Sequence, residues 1–176
     1  GEVLADERFR AEMDASVNAA TPLACGPGRL FFSASYDVGA GVWEWSTKEK
    51  RLTNVWNKTE ALDCHYSTPV YHDGHLYGFH GRQESGATLR CISAADGTVK
   101  WEAPDAVPGG TLIRVRDKLL IVTERGELWV VKAAADKFEL LSTTQILGLR
   151  HRSHAAYADG VLYARDSEKM TAVRVR

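Results

Sequence analysis

One figure recurs four times along this chain: a short apolar run, a tight polar turn, and a second alternating run. It stands as TPLACGPGRLFF from Thr21 to Phe32, TPVYHDGHLYGF from Thr68 to Phe79, TLIRVRDKLLIV from Thr111 to Val122, and HAAYADGVLYAR from His154 to Arg165. An Asp-Gly pair between alternating runs is a strong β-hairpin signal. The starts at 21, 68, 111 and 154 are spaced by 47, 43 and 43 residues. A unit that small cannot bury its own apolar face, so its copies must stack on one another. The period matches a four-stranded propeller blade.

A second hairpin follows the first in each unit. The second unit offers a strand over Thr88 to Ser93, an Ala95-Asp96-Gly97 turn, and an outer strand over Thr98 to Glu102. The first offers Val42 to Ser46 and Leu52 to Trp56, and the third Glu127 to Ala133 and Phe138 to Ser142. The fourth offers only Met170 to Val175. No segment after Thr21 keeps a 3.6-residue period for three turns. The chain therefore reads as all-β, a single propeller segment over residues 1–176. Its blades fall at 17–57, 64–103 and 108–143, with a fourth at 151–176 that lacks its outer strand. Gly1-Glu2-Val3-Leu4 resembles the outer strand after a Gly turn, as in Gly97-Thr98-Val99-Lys100, so residues 1–12 are expected to supply the outer strand of a split blade. Asp6 to Ala15 reads as a short helix or as an extension of that strand.

Charge and cysteine usage exclude several classes. The net charge is −1, which favours neither nucleic acid nor an anionic membrane as partner. The longest apolar runs, such as Leu119 to Val122, are too short to cross a bilayer. Cys25, Cys64 and Cys91 are scattered, without CxxC spacing, and read as buried thiols or as one disulfide plus a free thiol. Asn57-Lys58-Thr59 matches a glycosylation sequon, a pattern common by chance.

The run ATLRCISAADGTVKWEA from Ala87 to Ala103 resembles the PQQ-repeat signature of quinoprotein-like β-propellers, in which a strand, a Gly turn and a strand ending in Trp recur. His65 to Ser85, Asn18 to Tyr36 and Asp159 to Val175 are also similar to blades of bacterial members. This family mixes quinone-dependent alcohol and sugar dehydrogenases with non-catalytic scaffolds. The resemblance implies an eight-bladed ring of which this chain is the C-terminal half, and a periplasmic or secreted location. It implies either a homodimer that completes the ring or a missing N-terminal half, and a binding or scaffold role. A quinoprotein dehydrogenase holding PQQ with calcium is the alternative it leaves open.

In a propeller, the loop leading into each blade and the loop joining its second and third strands share one face around the central channel. Alignment of the units puts Asn18, His65, Pro108 and His151 at equivalent leading positions. The inner loops add Tyr36 and Asp37, then His80, Arg82, Gln83 and Glu84, then Glu124 and Arg125, then Arg165, Asp166 and Glu168. A rim with several titratable groups is the place to expect a ligand. Each candidate also has a plain structural account: hydrogen-bonding loop residues for His65 and His151, ion-paired scaffolding for His80, Arg82 and Glu84, a loop-locking pair for Glu124 and Arg125. His72 and His75 flank a turn on the opposite face. No Ser-His-Asp set, phosphate loop or paired catalytic carboxylate stands out, and no local spacing gathers metal ligands. Trp56 and Trp101, at the ends of outer strands, are expected to pack between neighbouring blades. Trp43 and Trp45 share one strand face and are expected to do the same.

Overall fold

Two-residue turns with left-handed backbone set the hairpins. Asp73 and Gly74 take φ of 44° and 75°, and Asp159 and Gly160 take 50° and 79°. Such turns match the right-handed twist of the strands they join. In the computed structural model, which describes residues 1–104, 109–149 and 152–175, they organise fifteen strands. Blade 1 holds β1 (Leu23–Ala24), β2 (Arg29–Ala34), β3 (Gly39–Ser46) and β4 (Arg51–Lys58). Blade 2 holds β5 (Val70–His72), β6 (His75–His80), β7 (Thr88–Ser93) and β8 (Val99–Glu102). Blade 3 holds β9 (Gly110–Val115), β10 (Lys118–Thr123), β11 (Glu127–Lys132) and β12 (Leu140–Gln145), and blade 4 holds β13 (Ala156–Ala158), β14 (Val161–Arg165) and β15 (Met170–Arg174). Each blade is an antiparallel meander in chain order. Among the described residues there is no helix, hence none long and apolar enough to cross a membrane.

Burial explains the stacking. The second strands β6 and β10 are buried along most of their length, because both of their faces meet a neighbouring blade. The outer strands are buried only at single positions, Trp56 in β4 and Trp101 in β8, and Leu52 in β4 is half-buried. Three apolar clusters fill the junctions. Phe31, Val42 and Trp56 of blade 1 meet Leu76 and Ile92 of blade 2. Tyr77, Cys91 and Trp101 of blade 2 meet Leu119, Ile121 and Val131 of blade 3. Leu120 and Val122 of blade 3 meet Leu162 and Ala164 of blade 4. The equivalent rows line up by strand register: Phe31 pairs Val42, Tyr77 pairs Cys91, Leu120 pairs Val130, and Tyr163 pairs Ala172.

Among the described residues no cluster joins blade 4 to blade 1, so each end of the array keeps one face without a blade. The face of blade 1 that carries Phe32 and Trp43 is covered by Phe9, whose ring lies 5.9 Å from Phe32 and 5.2 Å from Trp43. The corresponding face of blade 4 is open, with Tyr163 41% and Met170 76% exposed.

Two sequence expectations change here. Residues 1–22 contain neither strand nor helix, so the outer strand expected over 1–12 is not formed within the single chain, and Asp6 to Ala15 is not helical. Phe9 holds this segment against the aromatic face of blade 1, and Ala11 is buried. Trp43 does sit on the same side as Trp45, but its covering partner is Phe9 rather than a blade. The three cysteines are free and buried, and burial pushes the Cys64 and Cys91 thiols up to about 12.

Candidate functional site

The loops between second and third strands converge with the leading loops on one rim, and side chains from different blades touch there. Tyr36, at the β2–β3 turn with φ of 63°, places its hydroxyl 3.1 Å from His65 Nε2. His65 is buried, with Nδ1 2.7 Å from Gln83 Oε1, and Gln83 Nε2 donates to Glu84 Oε1 at 2.9 Å. One end of this series fixes the rest. A carboxylate only accepts, so Gln83 must turn its NH₂ to Glu84 and its carbonyl to His65. In the tautomer that carries its proton on Nδ1, His65 donates to Gln83 and its Nε2 accepts the Tyr36 hydroxyl proton. Four side chains from two blades thus form one directed relay.

Cations flank it. The Arg82 guanidinium sits over the Tyr36 ring at 4.7 Å and pairs with Glu84 at 3.6 Å. Its buried Nε is the atom of that ion pair, just beyond hydrogen-bond distance of the carboxylate. Glu84 is half-exposed, and hydrogen bonding to its own backbone N–H holds its carboxyl below the usual range, with desolvation opposing and the Arg82 guanidinium assisting. A second group links blades 2, 3 and 4: Tyr66 donates to Glu124 Oε1 at 2.7 Å, and Arg152 donates to the same oxygen at 2.9 Å while lying 5.3 Å above the Tyr66 ring. Burial first, and the bond to Glu124 second, raise the Tyr66 phenol above its ordinary range.

A cleft of about 820 Å³ opens beside the relay, lined by Tyr36, Asp37, Asp63 and Arg82 from the rim and by Arg10 and Met13 from the N-terminal segment. Burial raises the Asp63 carboxyl, with the Ser35 hydroxyl offsetting part of the effect. The cleft therefore offers cationic, anionic and aromatic contacts together.

Of the expected rim residues, Tyr36, His65, Arg82 and Glu84 come together, and Glu124 joins the second group. His80 turns away: its Nδ1 accepts the Asp63 backbone N–H at 3.0 Å, and burial, with Arg90 nearby, lowers its pKa. Asn18 is exposed in the N-terminal segment, outside the cleft lining. Arg125 is exposed, and its carbonyl accepts from Gln145 Nε2. Arg165 ends β14 and points from the open face of blade 4, not from a loop. Asp166 accepts from the Gly148 N–H of the loop after β12 and from the Lys169 and Glu168 N–H groups of its own turn, which lowers its carboxyl to about 2. His151 and Pro108 lie outside the described residues. Sequence reading missed Tyr66 and Arg152, for which adjacency to His65 and His151 was the only signal.

The described rim residues do not by themselves assemble a calcium-and-quinone site. Calcium takes six to eight oxygen ligands, and among the described residues no three His, Cys, Asp or Glu side chains gather as a metal site. Two of the rim acids are already held, Glu124 by Tyr66 and Arg152, and Asp166 by backbone N–H groups. The indoles of Trp56 and Trp101 lie between blades, away from the rim.

No protein-family profile matches the sequence, nor does any curated protein. Solved structures do. The chain is similar to the computationally designed Ika4 protein at 12% identity and a TM-score of 0.58, over 98% of this chain and 100% of that one. It is similar to BamB from Moraxella catarrhalis at 9% identity and a TM-score of 0.57, over 87% of this chain and 41% of that one. It is also similar to a europium-containing methanol dehydrogenase at 14% identity and a TM-score of 0.51, over 77% of this chain and 26% of that one. The chain thus spans less than half the length of these last two. At such identities the likeness bears on fold, and with the four antiparallel sheets it establishes consecutive β-propeller blades.

Proposed function

We propose that this chain is a binding or scaffold module of the PQQ-like propeller type, working outside the cytoplasm, that meets its ligand or partner at the rim cleft. The observation that carries this reading is the relay Tyr36–His65–Gln83–Glu84 beside an open cleft, with Arg82 lying over Tyr36 and paired with Glu84. Rigid, pre-oriented polar groups at the edge of a cleft lower the ordering cost of binding. Structural likeness to BamB is compatible with a non-catalytic role, and likeness to a methanol dehydrogenase keeps a quinoprotein reading in view as the alternative.

Thermal-shift screening of the wild-type chain and Arg82→Ala against a panel of short peptides and small polar metabolites tests the reading. At least one compound should raise the melting temperature of the wild type and not of the variant. PQQ with calcium forms a separate arm. Quinone absorbance that co-elutes with the protein, together with dye reduction by simple alcohols, would replace the scaffold reading with the dehydrogenase one.

A further inference from the structure

The two end faces of the blade array complement one another. On blade 4 the open face presents Tyr163 and Met170, flanked by the exposed Arg165 and Arg174. Its Tyr163–Ala172 row is the register equivalent of Phe31–Val42, Tyr77–Cys91 and Leu120–Val130, the rows that face the next blade at the three inner junctions. On blade 1 the opposite face holds a cleft of about 380 Å³ with an aromatic floor of Phe9, Phe32 and Trp43 and with Asp6 and Glu7 at its edge. All four charged residues are exposed, and none makes an ion pair within the chain among the described residues.

We infer that a second copy of this chain is the occupant of these faces: the open face of blade 4, with Met170 and Tyr163, seats in the Phe9–Trp43 cleft of the other copy's blade 1, and Arg165 and Arg174 meet Asp6 and Glu7. Exposed apolar side chains at a repeat-equivalent junction position are surface that the inner blades bury. Because each copy carries one face of each kind, two copies satisfy both faces at once and close a ring, whereas a mismatched rotation makes an open polymer. The inference is independent of the rim reading, since no rim residue takes part.

Sedimentation velocity over about a hundredfold range of protein concentration tests it, because linked assembly depends on protomer concentration. The wild type should reach a discrete species of twice the 19.4 kDa chain mass. Arg165→Glu with Arg174→Glu should stay monomeric with an unchanged circular dichroism spectrum, as both residues are exposed. Adding Asp6→Arg and Glu7→Arg to that variant should restore the dimer. A wild type that stays monomeric throughout, forms open-ended polymers, or is indifferent to the charge reversal would overturn the inference. Tyr36→Phe, a rim change, should leave association untouched, so failure here and failure of the rim reading are separable.

Discussion

Trp56 of blade 1 donates its indole N–H to the Ala94 carbonyl of blade 2 at 3.0 Å. One blade further on, Trp101 repeats the gesture toward Ala134 at 2.8 Å. Each Trp is the one buried residue of its outer strand, so the latch combines aromatic burial with a satisfied donor at the blade junction.

The latch can be separated into its two parts. Trp101→Phe keeps most of the packing and loses the hydrogen bond, so it should cost about 1 kcal/mol. Trp101→Ala should cost about 3–5 kcal/mol, because it also leaves a cavity beside Tyr77 and Phe138. Urea unfolding of the two variants measures both values.

Trp56 depends on a glycine in the next blade. A Cβ on Gly97, where φ is +72°, would stand 2.8 Å from the Trp56 ring, whereas one on Gly74, with φ of +75°, would meet nothing within 4 Å. Both alanine variants carry the same left-handed backbone strain, about 1 kcal/mol. Only Gly97→Ala should add an overpacking cost of about 1–3 kcal/mol. Thermal melts of the pair isolate the contact.

Blade 3 has no such latch. The partner of Val42 is Trp56 and that of Cys91 is Trp101, but the partner of Val130 is Ser142. The junction to blade 4 therefore rests on apolar packing around Leu120, Leu128 and Leu162. Hydrogen exchange should find the amides of β14 and β15 opening before those of β6 and β7, since fewer contacts hold them. Equal protection across all four blades would contradict this.

His80 should make the fold sensitive to mild acid. Burial and Arg90 hold its folded pKa below the ordinary 6.5, and its Nδ1 must stay unprotonated to accept the Asp63 N–H. The unfolded chain then binds the proton more readily, so stability is fully present above about pH 6.5 and declines as pH falls from there toward the folded pKa. Glu60 and Glu102 nearby act in the opposite sense but more weakly. Chemical denaturation between pH 7.5 and 5 (roughly the window of His titration) should show this decline in the wild type and a flatter profile in His80→Gln.

Local pattern made the blades legible in the sequence. The left-handed turn at Asp73-Gly74 and the two-residue alternation around it are written into neighbouring positions, and so is the outer-strand Trp. The third outer strand shows the limit: it was expected from Phe138 to Ser142 but runs from Leu140 to Gln145, because Phe138 leaves the strand to pack on Trp101. The rim was legible as a set of loops, not as a set of bonds. His65 meets Tyr36 across 29 positions and Arg152 meets Glu124 across 28, and nothing periodic in the chain marks either contact. The turn of His80 toward Asp63, and the seat of Phe9 on Trp43, likewise arise from packing between segments that share no repeat.

A crystal structure of the chain tests the stacking of latched blades most directly. It should show four antiparallel sheets in chain order, with the Trp56 and Trp101 indole nitrogens within hydrogen-bond distance of the Ala94 and Ala134 carbonyls. Indoles turned to solvent, or sheets merged into a sandwich without consecutive stacking, would contradict the account.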